Sequence, residues 1–302
     1  MTRARLLSQS EQRIGASAQS SAAGLAAAMP RLSVEAKRLS ANVAAGIHGR
    51  RRAGQGETFW QFRAFVQGEA LSRIDWRRTA RDDRVTIRDR EWEAAQSVWL
   101  WIDRSPSMHF ASDLAQAPKS ERAVVLGLAL ADMLVRGGER AGLIGLTPAF
   151  AARAIIDRLA ERLADAPPLD LPAGTALSAR SEAVLLSDFI VAPELLKSRI
   201  GALAERGARG HLVMIADPAE ETFPFSGHNE FVGPEGGERF RVGDAAGFRN
   251  AYLERIAAHR EAVRAAAASF GWTCMTHRTD KPAGSALLAL RMMLETGAAG
   301  AH

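Results

Sequence analysis

The sequence predicts an α/β protein with a doubly wound, mostly parallel sheet that carries helices on both faces, plus a small N-terminal subdomain of one helix and short strands. Two observations support this prediction. From residue 97 onward, apolar runs of strand length alternate with longer segments of helical periodicity, as in βαβ units. Two of those apolar runs end in an aspartate, Asp103 and Asp188. Ligands of parallel sheets bind at the carboxyl ends of the strands, where both aspartates are expected.

The N-terminal third of the chain precedes this alternation. Residues 1–28 are rich in Ala, Ser and Gln and have few large apolar groups, so we expect a flexible arm. Apolar residues spaced three and four apart predict an amphipathic helix over 32–43. The segment 46–56 combines glycines with arginines and is predicted to be a loop. Residues 58–93, dense in aromatic residues and arginines, predict short strands and turns.

The sequence predicts three parts: a flexible arm (1–28), an N-terminal subdomain (29–96) and an α/β domain (97–302). In the α/β domain, turn residues and helix stop signals such as Gly137-Gly138 separate the elements. The predicted strands are 98–102, 142–146, 183–187, 211–216 and 272–277, with a hairpin over 230–242. The predicted helices are 120–136, 148–163, 193–206, 243–270 and a last helix from about residue 283.

Composition narrows the class of protein. The 302 residues are 47% hydrophobic and 24% charged, which is typical of a globular protein with a sizeable core. The single cysteine, Cys274, excludes an internal disulfide framework and a multi-cysteine metal cluster. No apolar run reaches membrane-spanning length, and the N-terminus lacks the apolar core of a signal peptide. We therefore expect a cytoplasmic protein.

The net charge of +5 is unevenly distributed. Residues 1–95 hold 17 Lys and Arg against 10 Asp and Glu, whereas residues 96–302 hold 22 against 24. A basic N-terminal surface of this kind indicates either a nucleic-acid or acidic-partner site or an arginine-rich face paired with its own carboxylates. The residues of such a nucleic-acid site would be Arg50, Arg51, Arg52, Arg77, Arg78 and Arg81, with Trp60 and Trp76.

The segment Asp103-Arg104-Ser105-Pro106-Ser107 predicts a site for a divalent cation. It follows an apolar strand, and a loop there can turn the carboxylate and both hydroxyls toward one point. Hard oxygen ligands of this type select Mg²⁺, Mn²⁺ or Ca²⁺. Asp188 follows another apolar strand and is the candidate for a second carboxylate.

Several motifs together resemble the bacterial domain-of-unknown-function 58 family, whose members have a von Willebrand factor A-like core. The likeness spans about residues 30–296, although the family usually shows Gly-Asp where this chain has Gly68-Glu69, and many members carry N-terminal membrane helices. The segments that carry it are 56–63, 68–69, 74–77, 80–81, 88–93, 103–108, 186–189 and 277–280.

This resemblance implies a metal-ion-dependent adhesion site formed by Asp103, Ser105, Ser107, Asp188 and a threonine between the two aspartates. Thr175 is the candidate threonine, but only 12 residues separate it from Asp188, where the family template has a whole helix. The family's genes commonly lie beside those of MoxR-type AAA+ ATPases. The resemblance therefore implies a chaperone-like role with such an ATPase and a client protein.

We interpret the chain as a non-catalytic, metal-dependent interaction module. Its alternatives are binding through the basic N-terminal surface and metal-dependent hydrolysis, for which His109 is the candidate general base. The sequence contains no Gly-x-x-x-x-Gly-Lys-Ser/Thr loop, which argues against intrinsic ATPase activity.

Overall fold

The computed structural model describes residues 17–48, 59–66, 74–81, 85–90, 95–179, 181–233 and 239–299. The chain divides into two compact units whose boundaries fall after Ala45 and after Ala95. Residues 46–95 belong to the smaller unit, and the rest of the chain belongs to the larger one.

Helices and strands alternate along most of the described chain, with short 3₁₀ helices at Pro106–His109 and Ala245–Phe248. The α-helices are α1 (Ser17–His48), α2 (Trp76–Thr79), α3 (Lys119–Arg136), α4 (Ile155–Asp165), α5 (Pro193–Ala204), α6 (Pro218–Thr222), α7 (Arg249–Ala268) and α8 (Ala283–Ala299). The strands are β1 (Phe59–Ala64), β2 (Thr86–Arg90), β3 (Ser97–Ile102), β4 (Arg140–Leu143), β5 (Ser181–Ser187), β6 (Arg209–Ala216), β7 (Asn229–Val232), β8 (Arg239–Val242) and β9 (Thr273–Arg278).

The described part of the smaller unit is an antiparallel pair of strands with a short helix. β1 pairs with β2, and Ala64 lies opposite Thr86 at one end of the pair. Two backbone hydrogen bonds of 2.9 Å extend the pairing, from Phe65 N to Val85 O and from Asp75 N to Thr86 O. The short strands and turns predicted for this region are therefore present where the structure describes it.

The larger unit contains a five-stranded sheet in the order β4-β3-β5-β6-β9. All neighbouring pairs in this sheet are parallel. β7 and β8 form the predicted hairpin as a separate antiparallel pair. The predicted α/β class is confirmed, and the architecture is consistent with the von Willebrand A-like fold that the resemblance implies.

Helices cover both faces of the sheet. Alternate side chains of each strand point to opposite faces, so both faces carry apolar side chains that the helices bury. On one face, α3 approaches β3 so closely that a Cβ atom on Gly127 would lie 2.5 Å from Ile102 Cδ1. On the other face, Trp101 and Leu185 belong to a buried cluster with residues of α5 and α7. The sheet is thus buried on both sides, which explains why its strands read as continuous apolar runs.

Helix α1 begins inside the predicted flexible arm and belongs to the larger unit. Leu25, Met29, Leu32 and Ala36 are buried at three- and four-residue spacing along it. Ser40 Oγ donates a hydrogen bond of 2.5 Å to Asp132 Oδ2 of α3. The expectation of a flexible arm was therefore wrong for residues 17–28, because alanine-rich sequence with a few well-spaced apolar residues forms a packed helix. Residues 1–16 lie outside the described residues.

The domain boundary predicted at residue 29 also differs from the structure, which groups α1 up to Ala45 with the sheet. A second difference concerns the helix predicted over 148–163, since α4 begins only at Ile155. Phe150 instead forms an antiparallel bridge with Ala141 of β4. The chain passes so close to the strand that a Cβ on Gly142 would lie 2.6 Å from Pro148 O.

Among the residues that the structure describes, no helix combines the length and apolar character that a membrane crossing requires.

Candidate metal centre

Asp103 and Asp188 leave the same edge of the sheet from adjacent parallel strands. Ile102, the last residue of β3, lies opposite Leu186 of β5. The N–H of Asp103 continues the pairing with a hydrogen bond of 2.9 Å to Leu186 O. Asp188 comes directly after Ser187, the last residue of β5. The strand order therefore brings the two carboxylates together, as the apolar runs preceding them predict.

The loop after β3 turns back on its own aspartate. Ser105 N donates a hydrogen bond of 2.7 Å to Asp103 Oδ1, and Ser105 Oγ lies 3.2 Å from Ser107 Oγ. The 3₁₀ helix that follows is anchored by the buried side chain of Met108. Two oxygen ligands in adjacent octahedral positions around Mg²⁺ lie about 3 Å apart, given metal–oxygen distances of about 2.1 Å. The separation of the two hydroxyls is thus suitable for a pair of ligands.

Arg104 points away from this centre. Its guanidinium group donates to the carbonyl oxygens of Leu163, Ala166 and Pro167, the last two at 2.9 and 3.0 Å. These carbonyls lie at the carboxyl end of α4, where the helix dipole favours a cation. Arg104 therefore fixes the loop to α4.

A strained turn positions Asp188. The next residue, Phe189, has a φ of 54°, which a bulky side chain rarely adopts. Its ring is buried, its N–H donates to Ser187 Oγ at 2.8 Å, and its carbonyl oxygen lies 2.8 Å from His259 Nε2. Ile190 N also donates to Asp188 Oδ1 at 3.1 Å. These contacts hold the turn in a conformation that places the Asp188 carboxylate at the sheet edge.

The two carboxylates repel each other in a poorly hydrated environment. Asp103 is only 2% exposed. Burial, followed by the negative charge of Asp188, raises the pKa of Asp103 to about 7, against the hydrogen bonds from Ser187 and Ser105. A cation between the carboxylates would relieve this repulsion, so the residues present fit a divalent ion. The described residues hold no group of three or more His, Cys, Asp or Glu side chains in metal-binding positions. An ion at this centre would therefore also depend on the serine hydroxyls.

A buried lysine also belongs to this centre, although nothing in its local sequence indicates it. Lys119, the first residue of α3, has a side chain that is 1% exposed. Its ammonium group lies 2.8 Å from Asp188 Oδ2 and also pairs with Glu220. Burial alone would lower the pKa of Lys119, but the charges of Asp188 and Glu220 raise it above its usual value.

Glu220 and the loop before α3 are held by α6. Glu220 Oε2 accepts a hydrogen bond of 2.9 Å from Asp217 N in a capping box at the start of this helix. Asp217 accepts hydrogen bonds from Ser112 N at 2.8 Å and from Ser112 Oγ at 2.6 Å. The polar network thus extends from Asp188 through Lys119 to the end of β6.

Thr175 lies in the segment between α4 and β5. It is exposed, and its neighbours contact the second half of α5. A Cβ on Gly174 would lie 2.7 Å from Arg199 Nη1, and Leu177 N donates to Leu203 O at 3.1 Å. The structure brings Asp103, Ser105, Ser107 and Asp188 together. The role of Thr175 as a ligand remains a prediction.

The residues of the two alternative functions are only partly described. Arg50, Arg51 and Arg52, together with the side chains of Trp60, Arg77 and Arg78, lie outside the described residues, whereas Trp76 and Arg81 are exposed. His109 is half-buried, its Nδ1 lies 3.3 Å from Ser120 Oγ, and burial lowers its pKa. Its ring therefore contacts α3.

Comparisons with known proteins agree with these motifs. Uncharacterized proteins of Mycobacterium tuberculosis (strain H37Rv) and Mycobacterium bovis are each 27% identical over 282 residues, which covers 85% of this chain and 86% of the relative. The family model described as protein of unknown function DUF58 matches residues 61–262, a range that includes both aspartates. The chain therefore belongs to the DUF58 family.

Proposed function

We propose that the chain is a non-catalytic, metal-dependent protein-interaction module. The observation that carries this proposal is the meeting of two carboxylates, Asp103 and Asp188, with the adjacent hydroxyls of Ser105 and Ser107 at one sheet edge. These four residues would hold Mg²⁺, Mn²⁺ or Ca²⁺ through oxygen atoms. When bound, the ion supplies an electrophilic position for a carboxylate oxygen of a partner protein.

Two exposed apolar side chains support a docking role. The ring of Phe110 lies 5.9 Å from Lys119 Nζ, which in turn contacts Asp188. Ile190 is two residues beyond Asp188 and bonds to it through its backbone. Phe110 is 41% exposed and Ile190 is 52% exposed. We call these two residues the docking rim, which would contact apolar groups beside the partner's acidic side chain.

The proposed role is non-catalytic. A hydrolase needs a general base within reach of the metal-bound substrate. His109, the candidate base, has one ring nitrogen 3.3 Å from Ser120 Oγ on α3. The chain's own residues at the centre therefore bind and orient, and they leave an open position for an outside oxygen. The partner implied by the family resemblance is a MoxR-type AAA+ ATPase or its client, met in the cytoplasm.

Binding to the MoxR-type ATPase of the same organism, measured in Mg²⁺ and in EDTA, tests this proposal. We expect affinity to fall at least about tenfold in EDTA and in Asp103→Ala, a loss of about 1.4 kcal/mol. Asp113→Ala, which removes an exposed aspartate of the next loop, is the matched control. Equal affinity in Mg²⁺ and EDTA would contradict metal-dependent docking and favour the basic N-terminal surface.

A further inference from the structure

Lys119 is an unusual residue at a candidate cation site. Its side chain is almost fully buried, and its ammonium group lies 2.8 Å from Asp188 Oδ2. It also pairs with Glu220 and lies 5.9 Å from the centroid of the Phe110 ring, within range of a cation–π contact. The structure thus places a permanent positive charge against one of the proposed metal ligands.

The position of this lysine is costly for stability. An ammonium group loses its hydration on burial, and the amino end of a helix disfavours a cation. Lys119 is the first residue of α3, so both penalties apply. A buried ion pair often adds little to the stability of the fold, because well-packed apolar residues can replace it without loss of stability. The effect of Lys119 on the charge of the site explains the presence of a lysine at this position better than stability does.

Lys119 neutralises part of the charge of Asp188 without using up its ligand capacity. Each carboxylate oxygen has two acceptor positions. Asp188 Oδ2 accepts from Lys119, and Oδ1 accepts from Ile190 N at 3.1 Å, so acceptor positions remain for a further partner. A cation that binds Asp188 would meet less negative charge than two free carboxylates provide, and it would also be repelled by the ammonium group.

We infer that Lys119 is a resident counter-ion that weakens the binding of divalent cations to the Asp103–Asp188 site. This inference rests on the proposed function, since it concerns the same site. It also explains how the site favours an outside carboxylate. Because Lys119 cancels part of the ligand charge, a bound cation retains positive charge that an acidic side chain of a partner can compensate.

Glu220 provides a second way to change the same balance. Lys119 shares its charge between Asp188 and Glu220, and the hydrogen bond from Asp217 N holds Glu220 in place. Without the charge of Glu220, the ammonium group pairs with Asp188 alone and neutralises more of its charge. Glu220→Gln and Lys119→Met are therefore expected to shift cation affinity in opposite directions.

Calorimetric titration of the full chain with Mg²⁺ tests the inference. We expect Lys119→Met to bind Mg²⁺ at least about tenfold more tightly than wild type, and Glu220→Gln to bind it more weakly. Lys37→Met is the matched control, because it removes the same charge from an exposed ion pair with Asp157 on α4. If Lys119→Met fails to fold, the double variant Lys119→Met/Glu220→Gln removes both charges and should still bind at least as tightly as wild type.

Acetate serves as the probe for the outside carboxylate. Coupling between two ligands is reciprocal, so acetate that binds beside the ion should raise the affinity for Mg²⁺. Relative to chloride at equal ionic strength, this increase should be larger in wild type than in Lys119→Met, because the cation bound to wild type retains more positive charge. An equal effect in both proteins overturns the link to an outside carboxylate.

The outcomes separate this inference from the proposed function. If wild type binds Mg²⁺ and Asp103→Ala does not, while Lys119→Met binds equally or more weakly, the site stands and the role of Lys119 is wrong. Weaker binding would make Lys119 a positioning residue that helps the cation bind, and equal binding would give it no role in cation affinity. If neither wild type nor Lys119→Met binds Mg²⁺, both proposals are overturned.

Discussion

Asp103 Oδ2 accepts a hydrogen bond of 2.6 Å from the hydroxyl of Ser187, the last residue of the neighbouring strand β5. The same hydroxyl accepts a hydrogen bond of 2.8 Å from Phe189 N. Ser187 therefore joins the carboxylate that follows β3 to the strained turn that carries Asp188. The orientation of both aspartates depends on a residue that neither coordinates nor faces solvent.

Ser187→Ala should weaken Mg²⁺ binding without unfolding the protein. Loss of the hydroxyl frees Asp103 Oδ2 and removes the acceptor for Phe189 N, and removal of such supporting contacts typically lowers metal affinity by about tenfold or more. Calorimetry of the variant measures the change. Ser285→Ala, which removes an exposed hydroxyl on α8, should leave the affinity at the wild-type value. The supporting role is wrong if the two variants bind Mg²⁺ alike.

Asp103→Asn should stabilise the metal-free protein at pH 8. At this pH Asp103 is ionised, since its pKa is raised to about 7, and it is repelled by Asp188. Asparagine keeps the acceptor for Ser105 N and can donate to Ser187 Oγ, so it removes the charge and loses only the hydrogen bond that the Ser187 hydroxyl donates. The free energy of unfolding in EDTA should rise by about 1–3 kcal/mol.

Urea denaturation measures that difference, and Asp113→Asn should change the free energy of unfolding by less than about 0.5 kcal/mol. A clear loss of stability in Asp103→Asn would indicate that the aspartate is a structural residue. A gain in stability combined with loss of metal binding is the pattern of a functional site.

His277 should make the protein acid-sensitive. Burial, and then the charge of Arg122, lower the pKa of His277 to about 4, against the attraction of Asp280. The folded protein therefore resists protonation that the unfolded chain accepts below pH 6.5. Stability from this group is complete above pH 6.5 and is lost as the pH falls toward 4, by up to about 3 kcal/mol.

The difference in unfolding free energy between His277→Leu and wild type measures this effect. Leucine adds no charge, and His277 Nε2 has no hydrogen-bond partner to lose. The free energy of unfolding of the variant should therefore rise relative to that of wild type as the pH falls from 7 to 4. His228→Leu, at an exposed position, should show no such trend. A difference that stays constant with pH excludes His277 as the titrating group.

The docking rim should affect partner binding and leave the metal unaffected. Ile190→Ser keeps the backbone bond to Asp188 but removes an exposed apolar side chain beside it. Binding of the ATPase should weaken at least about fivefold, as for an apolar residue that the partner buries. Mg²⁺ affinity should not change, and Leu288→Ser on the exposed face of α8 should bind the partner normally. If the two variants bind the ATPase equally well, the interface lies elsewhere.

Local pattern was sufficient for the sheet and for part of the site. The apolar runs before Asp103 and Asp188 predict two buried parallel strands. Their adjacency comes from the strand order β4-β3-β5, which the alternation alone does not fix. By contrast, the roles of Lys119, Ser187 and Glu220 arise from contacts between residues 69 to 101 positions apart. No periodicity in the sequence indicates such contacts, and a lysine at the start of a helix ordinarily lies in solvent.

The incorrect predictions have a common physical cause. Residues 17–28 have a composition typical of a solvated arm, yet Leu25 is buried once the helix packs. Residues 148–154 have helical spacing, yet the bridge between Phe150 and Ala141 holds this segment beside β4, and α4 begins only at Ile155. In both segments, packing against another element of the larger unit overrides the local preference.

The most direct test of the metal centre is a calorimetric Mg²⁺ titration of the wild-type chain beside Asp103→Ala and Asp113→Ala. Metal-dependent docking requires saturable binding of one ion by wild type and by Asp113→Ala, and loss of that binding in Asp103→Ala. Equal Mg²⁺ affinity in all three proteins would contradict the assignment of Asp103, Ser105, Ser107 and Asp188 as the metal centre.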